Sequence, residues 1–412
     1  MSARPVAVIG GGPAGLMAAT MLSERGHQVT VLDGMPTVGR KFLLAGRGGL
    51  NLTHSETLPD FIGRYGAAAG FIEPMLGEFS PDALRAWCAE LGVETFVGSS
   101  GRVFPTGLKA SGLLRAWLRH LVGHGVRILP RHRWQGWTEA GALRFERPAG
   151  GGEVEILDLA PDATVLALGG ASWPRLGADG GWVPLLAARG IAINPLRPAN
   201  CGLSIAWSAH FLSQAEGQPL KRIILRVDGQ NAVGELVLTR HGIEGGAVYA
   251  LTAQVRDALD RQGQAVLWLD LKPDLTEAEI ARRLNRPRRG DSLSNHLRKA
   301  LRLDKPAIAL LRERVPDLPN LDPASLAGVV KRLALPVTGL FGLERAISTA
   351  GGIRLDAVDD RLMLTALPGV FVAGEMLDWE APTGGYLLQA AFSTGRRAAL
   401  GAAAWLQQSA AA

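Results

Sequence analysis

The stretch "VAVIGGGPAGLMAATMLSERGHQVTVLD", Val6 to Asp33, limits the architecture of this chain more than any other. It reads as a strand of β-branched residues, a glycine turn, an apolar helix and a second strand, within the roughly thirty residues of a βαβ unit. Gly10, Gly12 and Gly15 fall at the G-x-G-x-x-G spacing. The first permits a tight turn, the second lets backbone approach a pyrophosphate, and the third lets helix and sheet pack closely. Pro13 and Ala14 open the helix, whose free N–H groups and partial positive charge suit phosphate. Asp33 closes the second strand, where a carboxylate can accept hydrogen bonds from ribose hydroxyls. An acid there argues for FAD or NAD over NADP.

The segment beyond Asp33 separates FAD from NAD. A simple nicotinamide dehydrogenase would continue with further βα units, whereas this chain runs into "GRKFLLAGRGGLNLT", Gly39 to Thr53. Its glycines let backbone N–H groups approach a ligand, and Arg40, Lys41 and Arg47 suit an anion. Such a loop can lie along the phosphates and ribityl chain of an extended FAD and end beside the flavin. "GVRILPRHRWQGWTEAGALRFERP", which contains Trp134, reads as a strand leading into a β-meander. "ATVLALGGAS", Ala163 to Ser172, is a buried strand ending at a glycine pair that includes Gly169.

Leu367 to Leu406 carries a second strong signal: a strand at Val370–Ala373, then Gly374–Glu375, a loop, Gly384–Gly385–Tyr386, and a helix rich in small residues that begins near Leu387. A carboxylate at a strand's C-terminal end can hold ribityl hydroxyls. The helix N-terminus can face the flavin's pyrimidine edge and stabilise negative charge there.

These pieces, with "LALGGASWPRLGADGGW", "GELVLTRHGIEGGAVYAL" and "AISTAGGIRLD", run from end to end of the chain. In that order it resembles the YhiN/BaiN-like, or aminoacetone-oxidase-type, FAD-binding flavoproteins. Many members carry Gly-Gly-Arg-Cys-Asn where this chain reads Gly46-Arg47-Gly48-Gly49-Leu50-Asn51, without the Cys, which suggests a separate subgroup. The resemblance implies an α/β fold: a discontinuous Rossmann-like FAD-binding domain with an inserted β-rich domain and a small helical domain. The expected boundaries are 1–194 and 355–412 for the FAD domain, 195–270 and 334–354 for the β-rich insert, and 271–333 for the helices. The resemblance also implies FAD contacts at the glycines and Asp33, at Lys41, around Gly46, Gly48 and Asn51, and at Gly374, Glu375, Gly385 and Tyr386. With Pro13, Ala14, Arg40, Arg47, Trp134, Gly169 and Leu387, these are the expected cofactor-binding residues.

The middle of the chain agrees. From Pro195 to about Gly263 short alternating strands are separated by Gly and Asp turns. In "RHGIEGGAVYAL" a glycine pair precedes a helical pattern, which either lines the flavin cleft or packs after a turn. From Thr276 the pattern is helical, opening on a capping box with Glu279. The basic run "RRLNRPRRGDSLSNHLRKALRLDK" lacks the interleaved aromatics that stack on bases, and reads as a solvated helix face. His120 and His124 lie one helical turn apart without a third ligand at suitable spacing, so no metal is expected.

With 412 residues, 47% of them hydrophobic, the chain can bury a large core. Its net charge of +6 permits anionic partners without requiring them. Two distant cysteines, Cys88 and Cys201, and the lack of a signal peptide or long apolar run fit a cytoplasmic protein outside the membrane. The expected function is an FAD-dependent oxidoreductase acting on a small molecule in a cleft between the FAD and β-rich domains, with hydride passing through flavin N5. No second strand–GxGxxG–helix unit is present, so NADH or NADPH would dock transiently, or an oxidisable small molecule would donate. Arg47, Asn51 and Tyr386 are the candidates for flanking the flavin, in positioning roles before proton transfer. Two other readings stay open: a flavin-dependent nucleic-acid-modifying enzyme, and a non-catalytic flavin-binding regulator.

Overall fold

The computed structural model describes residues 4–46, 48–150, 152–287 and 290–411. The chain divides into two compact units, Met1–Arg197 with Ser348–Ala412, and Pro198–Ile347.

The first unit is organised by a five-stranded parallel sheet in the order Val370–Val372, Ala163–Leu166, Pro5–Ile9, Gln28–Asp33, Arg127–Pro130. Its central strands are runs of Val, Ile, Leu and Ala buried on both faces, which is why they show little alternation of polar and apolar residues. Helix Pro13–Ser23 packs along the long C-terminal helix Tyr386–Ala411. Their approach is close at Gly395, where a Cβ would stand 2.3 Å from the Ala14 carbonyl oxygen. An antiparallel meander, Arg133–Trp137, Leu143–Gly150 and Glu153–Leu159, follows the edge strand as the sequence pattern suggests. A small sheet joins Thr53–His54, Arg102–Pro105 and Thr95–Val97. Strand Ser348–Ile353 belongs to this unit, where a Cβ on Gly351 would collide with the Pro195 carbonyl oxygen and the Arg354 N–H donates to the Ala192 carbonyl. The resemblance places that segment with the inserted strands, whereas the structure places it in this unit.

The second unit has a seven-stranded sheet, antiparallel throughout, from Leu333–Val337 at one edge through Ala265–Asp270, Pro219–Val227, Gln230–Thr239, Gly242–Glu244 and Leu203–Ser204 to Gly339–Leu340. Helices Glu277–Leu284, Leu293–Leu301, Lys305–Arg314 and Pro323–Lys331 lie in the same unit and share its core: Ile280, Leu297, Leu310 and Val330 bury with Leu225, Leu267 and Leu335. Thr276 caps the first of them by accepting the Glu279 N–H at 3.2 Å. The Glu279 carboxylate turns instead to Arg282 and Arg283. The glycine pair of "RHGIEGGAVYAL" leads into the short helix Gly246–Tyr249, whose Ala247 and Val248 are buried in this core.

Candidate FAD site

Within the parallel sheet the strand order reverses between Pro5–Ile9 and Ala163–Leu166. At such a switch point the loops diverge and leave a crevice outside the carboxyl ends of the strands. Gly10 leaves the first strand at a φ of +105°, and a Cβ there would lie 2.2 Å from the Ala167 carbonyl oxygen. Gly15 is equally constrained, since its Cβ would meet the Gly10 carbonyl oxygen at 1.9 Å. Gly12 differs from both. It has φ −82°, which any residue adopts, and a Cβ would find nothing within 4 Å. Neither backbone nor packing requires glycine at position 12, whereas an incoming pyrophosphate would. Gly12 caps the helix, Pro13 has no N–H to lose, and the N–H groups of Ala14 and Gly15 have no intrahelical acceptor.

Asp33 stands beside this cradle. Its Oδ2 accepts the Gly11 N–H and its Oδ1 the Met35 N–H, both at 2.7 Å. Burial pushes its carboxyl above the ordinary range, against those two hydrogen bonds and the charge of Arg40. A half-buried carboxylate with acceptor capacity left on both oxygens suits ribose hydroxyls. Trp134, buried in the meander, meets Trp137 edge to face at 4.9 Å, and its indole N–H has no partner among the described residues.

A second cluster draws on four segments. Lys41 Nζ donates to Ser172 Oγ and to Glu375 Oε2, each at 2.6 Å. Glu375 Oε1 accepts the Thr349 N–H at 2.9 Å, and the Gly170 N–H lies 3.4 Å from Oε2. Thr349 Oγ1 accepts the N–H groups of Ala171 and Ser172. Gly169 turns the chain at φ +75°. The structure thus joins Lys41 and Glu375, two expected residues, with Thr349 and Ser172, which were not among those expected, while the Gly169 carbonyl accepts the Trp182 indole N–H. The Gly-Gly-Ala-Ser turn after a buried strand is the signal for Ser172; nothing local marks Thr349. Gly374 brings its backbone against helix Pro13–Ser23, where a Cβ would lie 2.9 Å from that of Ala14.

The glycine-rich loop is held from outside. Leu50 N–H donates to Leu108 O and Leu52 N–H to Val103 O, while Gly46 packs on Ala110 with no room for a Cβ. Gly48, by contrast, faces open space. Among the described residues Asn51 keeps a buried Oδ1 without a partner, and Arg40, at the start of helix Arg40–Ala45, a buried Nε without one. Arg47 lies outside the described residues.

Tyr386 opens the C-terminal helix after Gly385, whose φ of +111° and approach to Thr53 backbone exclude any side chain. Nearby stands Glu56, which Arg64 grips through two hydrogen bonds of 3.1 and 2.7 Å. Burial, then the Glu56 carboxylate, holds the Tyr386 phenol well above its usual range. His54 stacks on the ring at 5.5 Å and Phe61 packs at 4.8 Å, while the Tyr386 carbonyl accepts the Tyr65 hydroxyl. These contacts fix Tyr386 in place. Leu387, the next residue, packs on the first unit's core.

The cradle, the ribose-side carboxylate and the chemistry of the donor groups fit FAD, and a protein of this fold with this site is an FAD-dependent oxidoreductase. Residues 4–401 match the HI0933-like protein Rossmann domain. The chain belongs to that family, in agreement with the resemblance its motifs carry. It is 26% identical to the 3-dehydro-bile acid delta(4,6)-reductase of Clostridium scindens, over 97% of this chain and 98% of that protein. It is 23% identical to the ribosomal RNA dihydrouridine synthase of Haemophilus influenzae, over 95% and 97%. Its fold is similar to the 3-ketosteroid delta1-dehydrogenase of Sterolibacterium denitrificans, with a TM-score of 0.52 at 14% identity over 98% of this chain and 100% of that one. No helix among the described residues is long and apolar enough to cross a membrane.

Proposed function

We propose that the protein saturates an activated carbon–carbon double bond in a small molecule, with NADH or NADPH docking transiently as the reductant. The observation that carries the cofactor assignment is the open cradle at Gly12 beside Asp33, a half-buried carboxylate without a counter-ion in contact among the described residues. Support for the direction of the reaction comes from the relatives. One is named for reducing delta(4,6) unsaturation and another for making dihydrouridine, and both names describe loss of a ring double bond. Support for transient docking comes from the second unit, whose antiparallel sheet offers no βαβ unit for a resident nicotinamide among the described residues.

Bound FAD would supply a two-electron relay, accepting hydride at N5 and passing it on. The chain's own residues hold and shape that site. Ala14 and Gly15 offer N–H groups to the pyrophosphate, Asp33 accepts from the ribose, and the Lys41–Glu375–Ser172 cluster presents polar groups to the ribityl chain. The start of the helix at Gly385–Tyr386 stabilises negative charge on the pyrimidine edge. Asn51, whose buried Oδ1 has no partner among the described residues, orients the ring or the substrate.

The test is the visible spectrum of FAD-loaded protein during anaerobic addition of NADH, then NADPH, followed by an unsaturated ketone. Bleaching by either nucleotide and recovery on adding the ketone is the expected result. A flavin that stays oxidised would redirect the search to an oxidisable donor such as an amine. FAD retained by a folded Gly12→Glu variant would overturn the cofactor site. A second reading, reduction of an RNA base, is favoured by the name of the dihydrouridine synthase relative. It expects salt-sensitive RNA binding that is lost on neutralising Arg288 and Arg289, which lie outside the described residues.

A further inference from the structure

Two arginines flank the start of the C-terminal helix, and only one is neutralised. Arg64, whose guanidinium carbon lies 5.9 Å from the Tyr386 ring centroid, is held by Glu56 through both its Nε and Nη2. Arg102 sits opposite His54 in the small antiparallel sheet. A Cβ placed on Gly384 would stand 3.6 Å from its Nε and 3.2 Å from the Tyr386 ring. Arg102 is half-buried, yet among the described residues its guanidinium makes no hydrogen bond and no ion pair.

The groups around Arg102 are already committed. Elsewhere in this unit Arg64, Arg133, Arg144 and Arg147 each meet a carboxylate within 3.0 Å. Glu56, the carboxylate near Tyr386, is committed to Arg64 through both its oxygens. The hairpin that carries Arg102 is also fixed: Leu52 N–H donates to Val103 O, and Gly101 lies against the His54 ring with no space for a side chain. A guanidinium carried on a fixed strand, with five donors and no acceptor among the described residues, is available to an arriving anionic oxygen.

We propose that Arg102 binds an anionic or strongly polarised oxygen at the start of the C-terminal helix. The inference rests on the FAD reading above, because that oxygen has two sources. It is either the pyrimidine carbonyl of the reduced cofactor or the carbonyl of an unsaturated ketone, whose oxygen gains negative charge as hydride adds to the conjugated carbon. In both cases a guanidinium supplies charge and directed N–H donors that a neutral residue does not.

The experiment compares wild type, Arg102→Gln and Arg102→Lys, each loaded with FAD and checked by its visible spectrum. The first arm, without substrate, measures the equilibrium between oxidised and reduced flavin against a reference dye. If the cofactor is the source, the Gln variant shifts that equilibrium about tenfold or more toward the oxidised form, and Lys restores most of it. The second arm measures the dissociation constant of 2-cyclohexenone from the perturbation of the oxidised flavin spectrum. If the substrate is the source, the first arm is unchanged and this constant rises about tenfold in the Gln variant. Unchanged values in both arms with FAD bound overturn the proposal, as does loss of FAD from both variants, which would make Arg102 a structural residue. Loss of FAD from Gln but not from Lys supports the cofactor source. A wild type that binds no FAD refutes the underlying reading instead.

Discussion

Each unit ends a strand on an aspartate, Asp270 buried and Asp33 half-buried, and the two treat it in opposite ways. In the antiparallel unit Asp270 is answered from three sides, by Lys331 at 2.7 Å, by Arg226 at 3.4 Å and by the Lys272 N–H. In the parallel sheet Asp33 accepts two backbone N–H groups and makes no ion pair among the described residues, and burial pushes its carboxyl up. The first charge is answered inside the protein, whereas the second is hydrogen-bonded but not neutralised, which fits the role proposed for Asp33 toward an arriving ligand.

The comparison is broken most directly by removing a cation. Lys331→Met leaves Asp270 buried with only its weaker partner and costs about 3 kcal/mol of stability, read from urea unfolding. A loss comparable to an exposed ion pair would show that Asp270 does not depend on neutralisation. Asp33→Ala should have its main effect on FAD rather than on the fold: a dissociation constant raised about ten- to a hundredfold, measured by fluorescence of released FAD. If stability falls as much as in the Lys331 variant while FAD affinity holds, the two aspartates play the same part.

The pH dependence sharpens the contrast with a smaller effect. A carboxyl whose folded pKa is raised contributes stability that is fully present below its ordinary value of 3.8 and is lost as pH rises through the folded value. FAD-free wild type should therefore lose stability relative to Asp33→Asn on raising the pH across that window, as the urea midpoints would report. The smallest effect concerns the two thiols. Burial pushes Cys88 up to about 12 and Cys201 to about 11, so neither unit should react with an aqueous thiol reagent at neutral pH until it unfolds. Rapid labelling of either in the native protein would show that its surroundings open.

Much of the nucleotide site was legible in order of sequence because its physics is local. The periods of strand and helix, the glycine spacing and the acid at the end of the second strand all lie within Val6–Asp33, and the structure shows strands, turn and helix there. The division of the middle of the chain was less legible. Residues 271–333 have strong helical periodicity and caps, which read as a separate body, yet their apolar faces are buried with the seven-stranded sheet. Periodicity states which face of a helix is buried and not what covers it. The segment 348–354 shows the same limit, since a strand's pattern does not name its partner.

By itself the sequence determined the βαβ unit, its glycine turn and the acid that closes its second strand, because those depend on residue types and spacings within one short stretch of chain. Only the tertiary structure decided that Lys41, Ser172, Thr349 and Glu375 form one cluster, that Arg64 is held by Glu56 near Tyr386, and that Arg102 is left near that ring with no partner among the described residues. Those facts join groups as far apart as 334 residues in sequence. They depend on which strands pair and how closely two glycine-lined helices meet, and no local pattern records either.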